Sequence, residues 1–386
     1  MARKVRLGIV GTGRRSIAIG RLFRDHPACE VTALMDLYPA VVERAAAALE
    51  LPQAQCFTDY DLLLREAQVD ALLLTCDPTV QVDLACRAME TGRHVCTEVP
   101  AAFTLQECWD LIAAVERSGC KYQLMEQTRY WGFVEAWTRL REEGELGHVC
   151  FAQGEYVHYE PNWNNWVDLD TGELLTGLEP PAGRRVEATW RYRLWADPIF
   201  YLPHTLSPLL KILDDRVVSV SCMGTRVGSY TYPEERPPFR ELEYALMHTA
   251  GDTVMAVGAG FTLPCVRRGT TSCHWYEVRG TRGSVESPRS RDDRFRIWRA
   301  GQESFEAVDL GLAPPDADSL QAQSGHGGAD FKPVDTFVRA ILDDTTPPLD
   351  AVLAAEITAP AILAAESARL NGRRLEVPDF RARAGI

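Results

Sequence analysis

Five short apolar runs, Val5–Val10, Val31–Met35, Ala71–Thr75, His94–Thr97 and Tyr122–Met125, punctuate the first 125 residues. Between them lie Ser16–Asp25, Pro39–Leu49, Val80–Glu90 and Leu105–Ser118, whose apolar residues recur at the spacing that lines one helical face. Apolar runs too short for helices, separated by amphipathic ones, predict parallel strands, because a parallel pair needs a crossover and a helix supplies it. Gly92 and Gly119 close two of these helices, as glycine does where the chain must turn left-handed. The pattern predicts a doubly wound α/β domain over residues 1–125.

A helical stretch at Trp131–Glu142 leads into a different regime. Val149–His158, Val217–Thr225, Glu243–His248, Thr253–Thr262, His274–Arg279 and Arg294–Trp298 read as strands without regular helices between them, which predicts a large, mostly antiparallel open sheet. Gly280-Thr281-Arg282-Gly283 reads as a hairpin turn. Tyr159–Thr189, rich in Trp, Asn, Gly and Pro, and Ala300–Gly328, with Pro314-Pro315 and clustered Gly and Ser, are expected to be loops. Helical periodicity returns at Phe331–Leu342 and Ala351–Asn371. The expected second domain, 126–386, is therefore α+β.

Composition narrows the function classes. The 386 residues are 46% hydrophobic and 25% charged, ordinary values for a folded globular chain. Subtracting 54 acidic from 41 basic residues gives −13, a charge that repels phosphate backbones and anionic lipid, so neither nucleic acid nor a membrane is an expected partner. The eleven cysteines form no Cys-x-x-Cys pair and no His-x-x-x-His occurs, so reduced core cysteines and no metal are expected. No uninterrupted apolar run reaches the roughly 18–20 residues of a membrane span, and the stretch after Met1-Ala2-Arg3-Lys4 is too short for a signal peptide. A cytoplasmic location is expected.

Candidate chemistry begins where the first strand ends. Gly11-Thr12-Gly13-Arg14-Arg15-Ser16 follows a strand and opens a helix, the context of a dinucleotide fingerprint. Gly11 permits the tight turn, Gly13 lets backbone amides approach a pyrophosphate, and Ser16 stands where the third glycine is usual. Asp36 closes the second run and suits hydrogen bonds from both ribose hydroxyls while repelling a 2′-phosphate, which favours NAD over NADP, although Arg14 or Arg15 could accommodate that phosphate.

From these glycines, through Gly92-Arg93-His94-Val95-Cys96-Thr97-Glu98-Val99-Pro100, to Val377-Pro378-Asp379-Phe380, the chain resembles the Gfo/Idh/MocA family of NAD(P)-dependent sugar enzymes. It departs at Val99, where most members have a lysine that shares the proton handling, and at Gln81, where histidine is usual. Within that family, Glu98-Val99-Pro100-Ala101, Glu107-Cys108-Trp109, Met125-Glu126 with Tyr130, Tyr156-Val157-His158, Trp190-Arg191, Tyr201-Leu202-Pro203-His204 and Gly325-His326-Gly327-Gly328-Ala329-Asp330 resemble the glycoside hydrolase family 109 branch. Tyr159 replaces an aspartate usual there, and Thr205 and Ser207 replace glycines.

The resemblance implies a Rossmann domain and a second domain whose open sheet faces a twin subunit in a homodimer or homotetramer. It implies resident NAD, lined by Gly11, Thr12, Gly13, Arg14, Arg15, Asp36, Thr75, Cys76, Gln81, Glu98, Pro100 and Gln127. It also implies a small sugar or glycoside substrate, hydrolysed by oxidation at carbon 3, elimination, water addition and re-reduction. Oxidation needs a base for the hydroxyl proton, and His204 is the candidate, with Tyr201 three residues earlier polarising the same oxygen. Tyr156 is the resemblance-based candidate for the carbon 2 proton. A phenol of ordinary pKa near 10 is a poor base unless neighbours stabilise its phenolate, and Arg191, Arg129 and His158 are candidates for that help.

Glu126 is expected to bind sugar hydroxyls, and Trp163, Trp166, Trp190 and Trp195 to offer flat faces for a sugar. Arg191 and Arg193 suit an acidic sugar, and His326 is a secondary candidate contact. An ordinary sugar or inositol dehydrogenase and a non-catalytic NAD-binding protein are the competing readings, and the glycines and Asp36 fit all three.

Overall fold

The structure, a computed structural model, describes residues 3–159, 164–194, 196–228, 239–263, 274–290, 292–318 and 321–384. Its first elements are β1 (Val5–Val10), α1 (Arg14–Asp25), β2 (Cys29–Met35), α2 (Pro39–Ala48), β3 (Gln55–Phe57), α3 (Tyr60–Glu66), β4 (Ala71–Leu74), α4 (Gln81–Glu90), β5 (His94–Thr97), α5 (Leu105–Ser118) and β6 (Tyr122–Leu124). The six strands pair in parallel in the order β3-β2-β1-β4-β5-β6, the doubly wound sheet that the apolar runs predict. The order reverses between β1 and β4, which opens a crevice at their carboxyl ends. β3 and α3 escape the hydrophobic pattern because two of the three β3 residues are exposed and α3 is only seven residues long.

The chain continues as α6 (Gly132–Glu142), β7 (Val149–Val157), β8 (Asn164–Asp168), β9 (Leu174–Thr176), β10 (Val186–Ala188), α7 (Trp190–Leu194) and α8 (Pro203–Leu213). β11 (Val217–Gly224), β12 (Leu242–Thr249), β13 (Val254–Gly260), β14 (His274–Gly280), β15 (Gly283–Glu286), β16 (Phe295–Arg299) and β17 (Glu306–Val308) follow. α9 (Gly325–Gly328), α10 (Phe331–Leu342), α11 (Ala351–Arg369), β18 (Leu375–Glu376) and α12 (Phe380–Ala384) complete it. Two segments expected to be loops therefore carry structure: β8, β9 and β10 form a small sheet of their own, and 300–328 holds β17 and α9. Strands of three to five residues within a Gly- and Pro-rich context leave no readable alternation.

The chain divides into two compact units. The first comprises residues 1–125, 162–195 and 331–355, and the second 126–161, 196–330 and 356–386. The core of the first unit packs Leu7, Ile9, Phe23, Leu34 and Leu73 with Val334, Phe337, Val338 and Ile341 of α10. Phe23 and Phe337 meet edge to face at 6.5 Å, and the Gln123 side-chain amide donates to the Pro333 carbonyl at 2.6 Å.

The second unit is built on a nine-stranded sheet, β17-β16-β15-β14-β7-β13-β12-β11-β18. Most neighbours are antiparallel and β14 and β15 form the expected hairpin, but β7 runs parallel to β13, so the sheet is mixed. About a hundred residues separate those two strands, and no tight turn dictates their sense. Helix α8 lies against β7, where a Cβ on Gly154 would run into Thr205, Leu209 and Tyr276. Trp131, Phe133, Trp137, Tyr276 and Phe295 interlock beside it with ring centroids 5.0–6.3 Å apart. α11 has the length and hydropathy of a membrane span, yet 83% of its apolar window is buried inside the protein, which makes it a core helix.

Candidate active site

In the first unit the fingerprint forms a cradle. Gly11 sits at φ +80°, and a Cβ there would stand 2.7 Å from the Thr75 carbonyl oxygen. Only glycine fits that turn. Gly13 caps α1, and the Ser16 hydroxyl donates to the Gly13 carbonyl at 2.7 Å, so serine takes the third-glycine place by turning its hydroxyl back on the loop. The Thr12 amide donates to Asp36 Oδ2 at 2.8 Å and the Thr12 hydroxyl approaches it at 3.3 Å. Burial raises the Asp36 carboxyl against these hydrogen bonds, which oppose the rise. Arg14 is exposed at the start of α1, and Arg15 Nε donates to Glu98 Oε1 at 3.0 Å.

Around the β4 and β5 ends, the Thr75 hydroxyl donates to the Gly11 carbonyl, and burial pushes the Cys76 thiol up to about 12, so it stays protonated. Gln81 is buried and its amide nitrogen donates to the carbonyls of Glu98 (2.9 Å) and Pro100 (3.0 Å). Gln81 thus pins the Glu98-Val99-Pro100 turn. The residue expected to touch cofactor acts on the loop that would hold it.

Gly11→Ala is expected to weaken NAD binding about tenfold or more, because relieving the strained turn pulls its amides out of line. Calorimetric titration of the variant with NAD checks this, and parental affinity would remove Gly11 from the cradle.

The second unit gathers a ring of histidines and tyrosines. Glu126 is buried completely, with its Oε1 accepting the Thr128 amide at 2.8 Å and lying 2.5 Å from the Thr128 hydroxyl, while Oε2 stands 2.6 Å from His204 Nδ1. His204 lies in the first turn of α8, entered through Pro203. Pro208, four residues on, has no N–H for the His204 carbonyl. The hydroxyls of Thr128 (2.8 Å) and Tyr276 (2.9 Å) approach that carbonyl instead.

The Tyr156 ring, on β7, is 5.0 Å from His204, 4.4 Å from His158 and 4.7 Å from His274, centroid to centroid, and Tyr201 stacks at 6.5 Å. His326 lies nearly parallel to His204 at 6.4 Å, with its Nδ1 2.8 Å from Asp330 Oδ1. Its backbone is left-handed at φ +52°, and Trp131 Nε1 donates to its carbonyl at 2.7 Å.

The charges sort themselves. Burial pulls the Glu126 carboxyl upward, but the His204 charge and the His204 and Thr128 hydrogen bonds together hold it below its ordinary value. Burial, then the charges of His204 and His326, lower His158 to about 4. His274, fully buried and facing the same imidazoles, is pushed well below the usual histidine range. His158 and His274 are therefore neutral at pH 7. Two residues before Tyr201, the Ile199 amide donates to Glu243 Oε2 at 3.1 Å, and burial with Asp197 nearby raises Glu243 to about 8.

Comparison with known proteins agrees with this construction. Residues 5–126 match the oxidoreductase family with an NAD-binding Rossmann fold, Gfo/Idh/MocA, and residues 136–384 match the glycosyl hydrolase 109 C-terminal domain. The chain belongs to glycosyl hydrolase family 109. A family 109 protein of Saccharopolyspora erythraea is 26% identical over 97% of this chain and 83% of its own length. The fold is that of an oxidoreductase domain protein from Kribbella flavida (TM-score 0.77, 18% identity, 98% of this chain and 100% of that one). It is also that of levoglucosan dehydrogenase in complex with NADH and levoglucosan (TM-score 0.77, 16% identity, 97% and 100%).

The family 109 chain is thus an enzyme with an NAD-binding first unit, and the Gly11 turn, the α1 amides and Asp36 suit a dinucleotide. Of the expected substrate and catalytic residues, Glu126, Tyr156, His158, Tyr201, His204 and His326 come together in the second unit. Gln127 is buried there too, just before the turn Thr128–Tyr130. Arg129 is turned onto helix α8, donating to the Ser207 carbonyl at 3.1 Å, and burial lowers its pKa.

Trp190 and Arg191 belong to the first unit, where the Arg191 guanidinium covers the Trp190 ring at 4.6 Å. Arg193 donates to the Ala188 carbonyl at 2.7 Å, and Trp166 donates to the Gly177 carbonyl at 3.1 Å and meets the Tyr192 ring tilted, centroids 4.5 Å apart. Trp163 and Trp195 lie outside the described residues. Glu107 is accounted for by the capping box it makes with Thr104 at the start of α5. Sequence reasoning missed Thr128, His274, Tyr276 and the role of Asp330, and only the four-residue spacing of His326 and Asp330 signals a pair. Among the described residues, no group of three His, Cys, Asp or Glu side chains is placed to hold a metal.

Proposed function

We propose that this family 109 protein is a glycosidase that oxidises its sugar transiently at carbon 3, eliminates the carbon 1 substituent, adds water and re-reduces. Bound NAD supplies the hydride acceptor and returns the hydride at the end, so it need not leave. His204 Nε2 accepts the carbon 3 hydroxyl proton. Glu126 on Nδ1 orients the ring and stabilises the imidazolium, and Thr128 holds Glu126. Tyr156 then takes the carbon 2 proton, acidified by the adjacent ketone.

The observation that carries this reading is the 5.0 Å between the Tyr156 and His204 rings. A positive charge on the adjoining imidazole favours a phenolate over the phenol. The first proton transfer thereby primes the second. Because burial keeps His158 and His274 neutral, His204 is the charge that does this. The missing lysine at Val99 fits a cycle that returns its hydride and places proton handling on the second unit.

Screening p-nitrophenyl glycosides, acidic ones included, followed by a carbon 2 deuterated version of any that is cleaved, tests the proposal. Nitrophenol release with label lost to solvent and no stoichiometric rise at 340 nm is expected. Label retained in the hydrolysed sugar rejects elimination, and a steady 340 nm rise on free sugar without nitrophenol identifies a net dehydrogenase.

A further inference from the structure

We infer that Tyr276 and His274 are positioning residues for His204, acting through its main-chain carbonyl, and that this chain of hydrogen bonds holds His274 in the Nδ1–H tautomer. The inference rests on His204 as the proton acceptor proposed above, and it follows from assigning every hydrogen around one oxygen. In a regular helix the N–H of residue 208 would serve the His204 carbonyl, and Pro208 has none. A buried carbonyl without a donor is costly, so hydroxyls replace it.

Two hydroxyls come within reach, but the Thr128 hydroxyl has a single hydrogen and two acceptors, Glu126 Oε1 at 2.5 Å and the His204 carbonyl at 2.8 Å. The charged carboxylate is the closer and stronger acceptor and takes it. The His204 carbonyl is then served by Tyr276, at 2.9 Å. With its hydrogen committed, the Tyr276 oxygen can only accept from His274 Nδ1, which lies 2.9 Å away. The hydrogen is therefore on Nδ1, and His274 Nε2 carries none.

The consequence is mechanical. Helix α8 enters the site at its weakest turn, where proline has removed a main-chain hydrogen bond, and Tyr276 from β14 restores one at the residue that carries the catalytic imidazole. Without that donor, the Thr128 hydrogen is drawn between carbonyl and carboxylate, and the support of Glu126 beneath the imidazole loosens. The same sheet row joins the parts, since His274 is paired with Tyr156 across β14 and β7.

The test is nitrogen NMR of the full-length protein, NAD present and histidines 15N-labelled, with His274→Asn to assign the ring. His274 is expected to show a protonated Nδ1 and a bare Nε2. A protonated Nε2 overturns the inference whatever the enzyme cleaves. On a nitrophenyl glycoside that the parent cleaves, Tyr276→Phe is expected to lower kcat about tenfold with KM within about twofold. Pro208→Ala, which gives the carbonyl a main-chain donor, is expected to recover at least about threefold of that loss in the double variant. No recovery overturns the inference. If the parent cleaves no glycoside, the reaction proposal fails while the tautomer measurement still decides this one.

Discussion

Replacing His204 by asparagine is expected to lower turnover about a thousandfold, within the span that one positioned acid–base group contributes. Asparagine keeps a polar group near Glu126 but cannot hold a proton at Nε2, so the hydroxyl proton has nowhere to go at neutral pH. NAD affinity is expected to stay within about twofold, because Gly11, Gly13 and Asp36 are all in the other unit. Initial rates and an NAD titration on the same preparation check both halves. Retention of a tenth of the parental rate would remove His204 from the proton path. Loss of NAD binding would mean that its role is structural.

The second large effect is on stability. His158, held near 4, takes up its proton in the unfolded chain near 6.5 but not in the folded one, so between these values its contribution rises with pH. A depression of that size is on the order of 3 kcal/mol. Glu243, raised to about 8, works the other way: from about 4.5 to 8 the unfolded chain loses a proton that the folded one keeps, and its contribution falls as pH rises. His274, also held well below its ordinary value, adds to the His158 rise, so below pH 6.5 the two imidazoles outweigh Glu243, which acts above it. The parent's thermal midpoint is expected to rise from pH 5 to 6.5 and to decline to pH 8. Glu243→Gln keeps an oxygen for the Ile199 amide and removes the titration. Its midpoint is expected to climb from pH 5 to 6.5, stay level to 8, and exceed the parent's there. Parallel curves for the two proteins would rule Glu243 out.

What the sequence disclosed follows its physics. The parallel sheet was legible because strands covered on both faces are continuously apolar, as in Ala71–Leu74, all four buried. The glycine turn and Asp36 were legible because their spacing is fixed by one strand–turn–helix unit. The six clustered site residues were named through short motifs, yet their partnerships were not, because Glu126 and His204 are 78 positions apart and meet only through the fold. Arg129 and Gln81 have partners that the sequence does not disclose: the Ser207 carbonyl on helix α8 engages one and the Glu98 and Pro100 carbonyls the other. His274 and Tyr276 lay on an ordinary strand pattern, and nothing short of the register between β14 and β7 distinguishes them.

The return of residues 331–355 to the first unit has a consequence for synthesis. A nascent chain that has emerged as far as residue 330 has all six parallel strands but not Val334, Phe337, Val338 or Ile341, which close their core, nor Leu349, whose carbonyl receives the Leu124 amide at 2.9 Å. The amino-terminal third therefore lacks part of its core until residues 334–349 have emerged. Expressed as residues 1–125, it would expose the seam that α10 covers and be prey to aggregation and proteases, so the natural piece for biochemistry is the whole polypeptide.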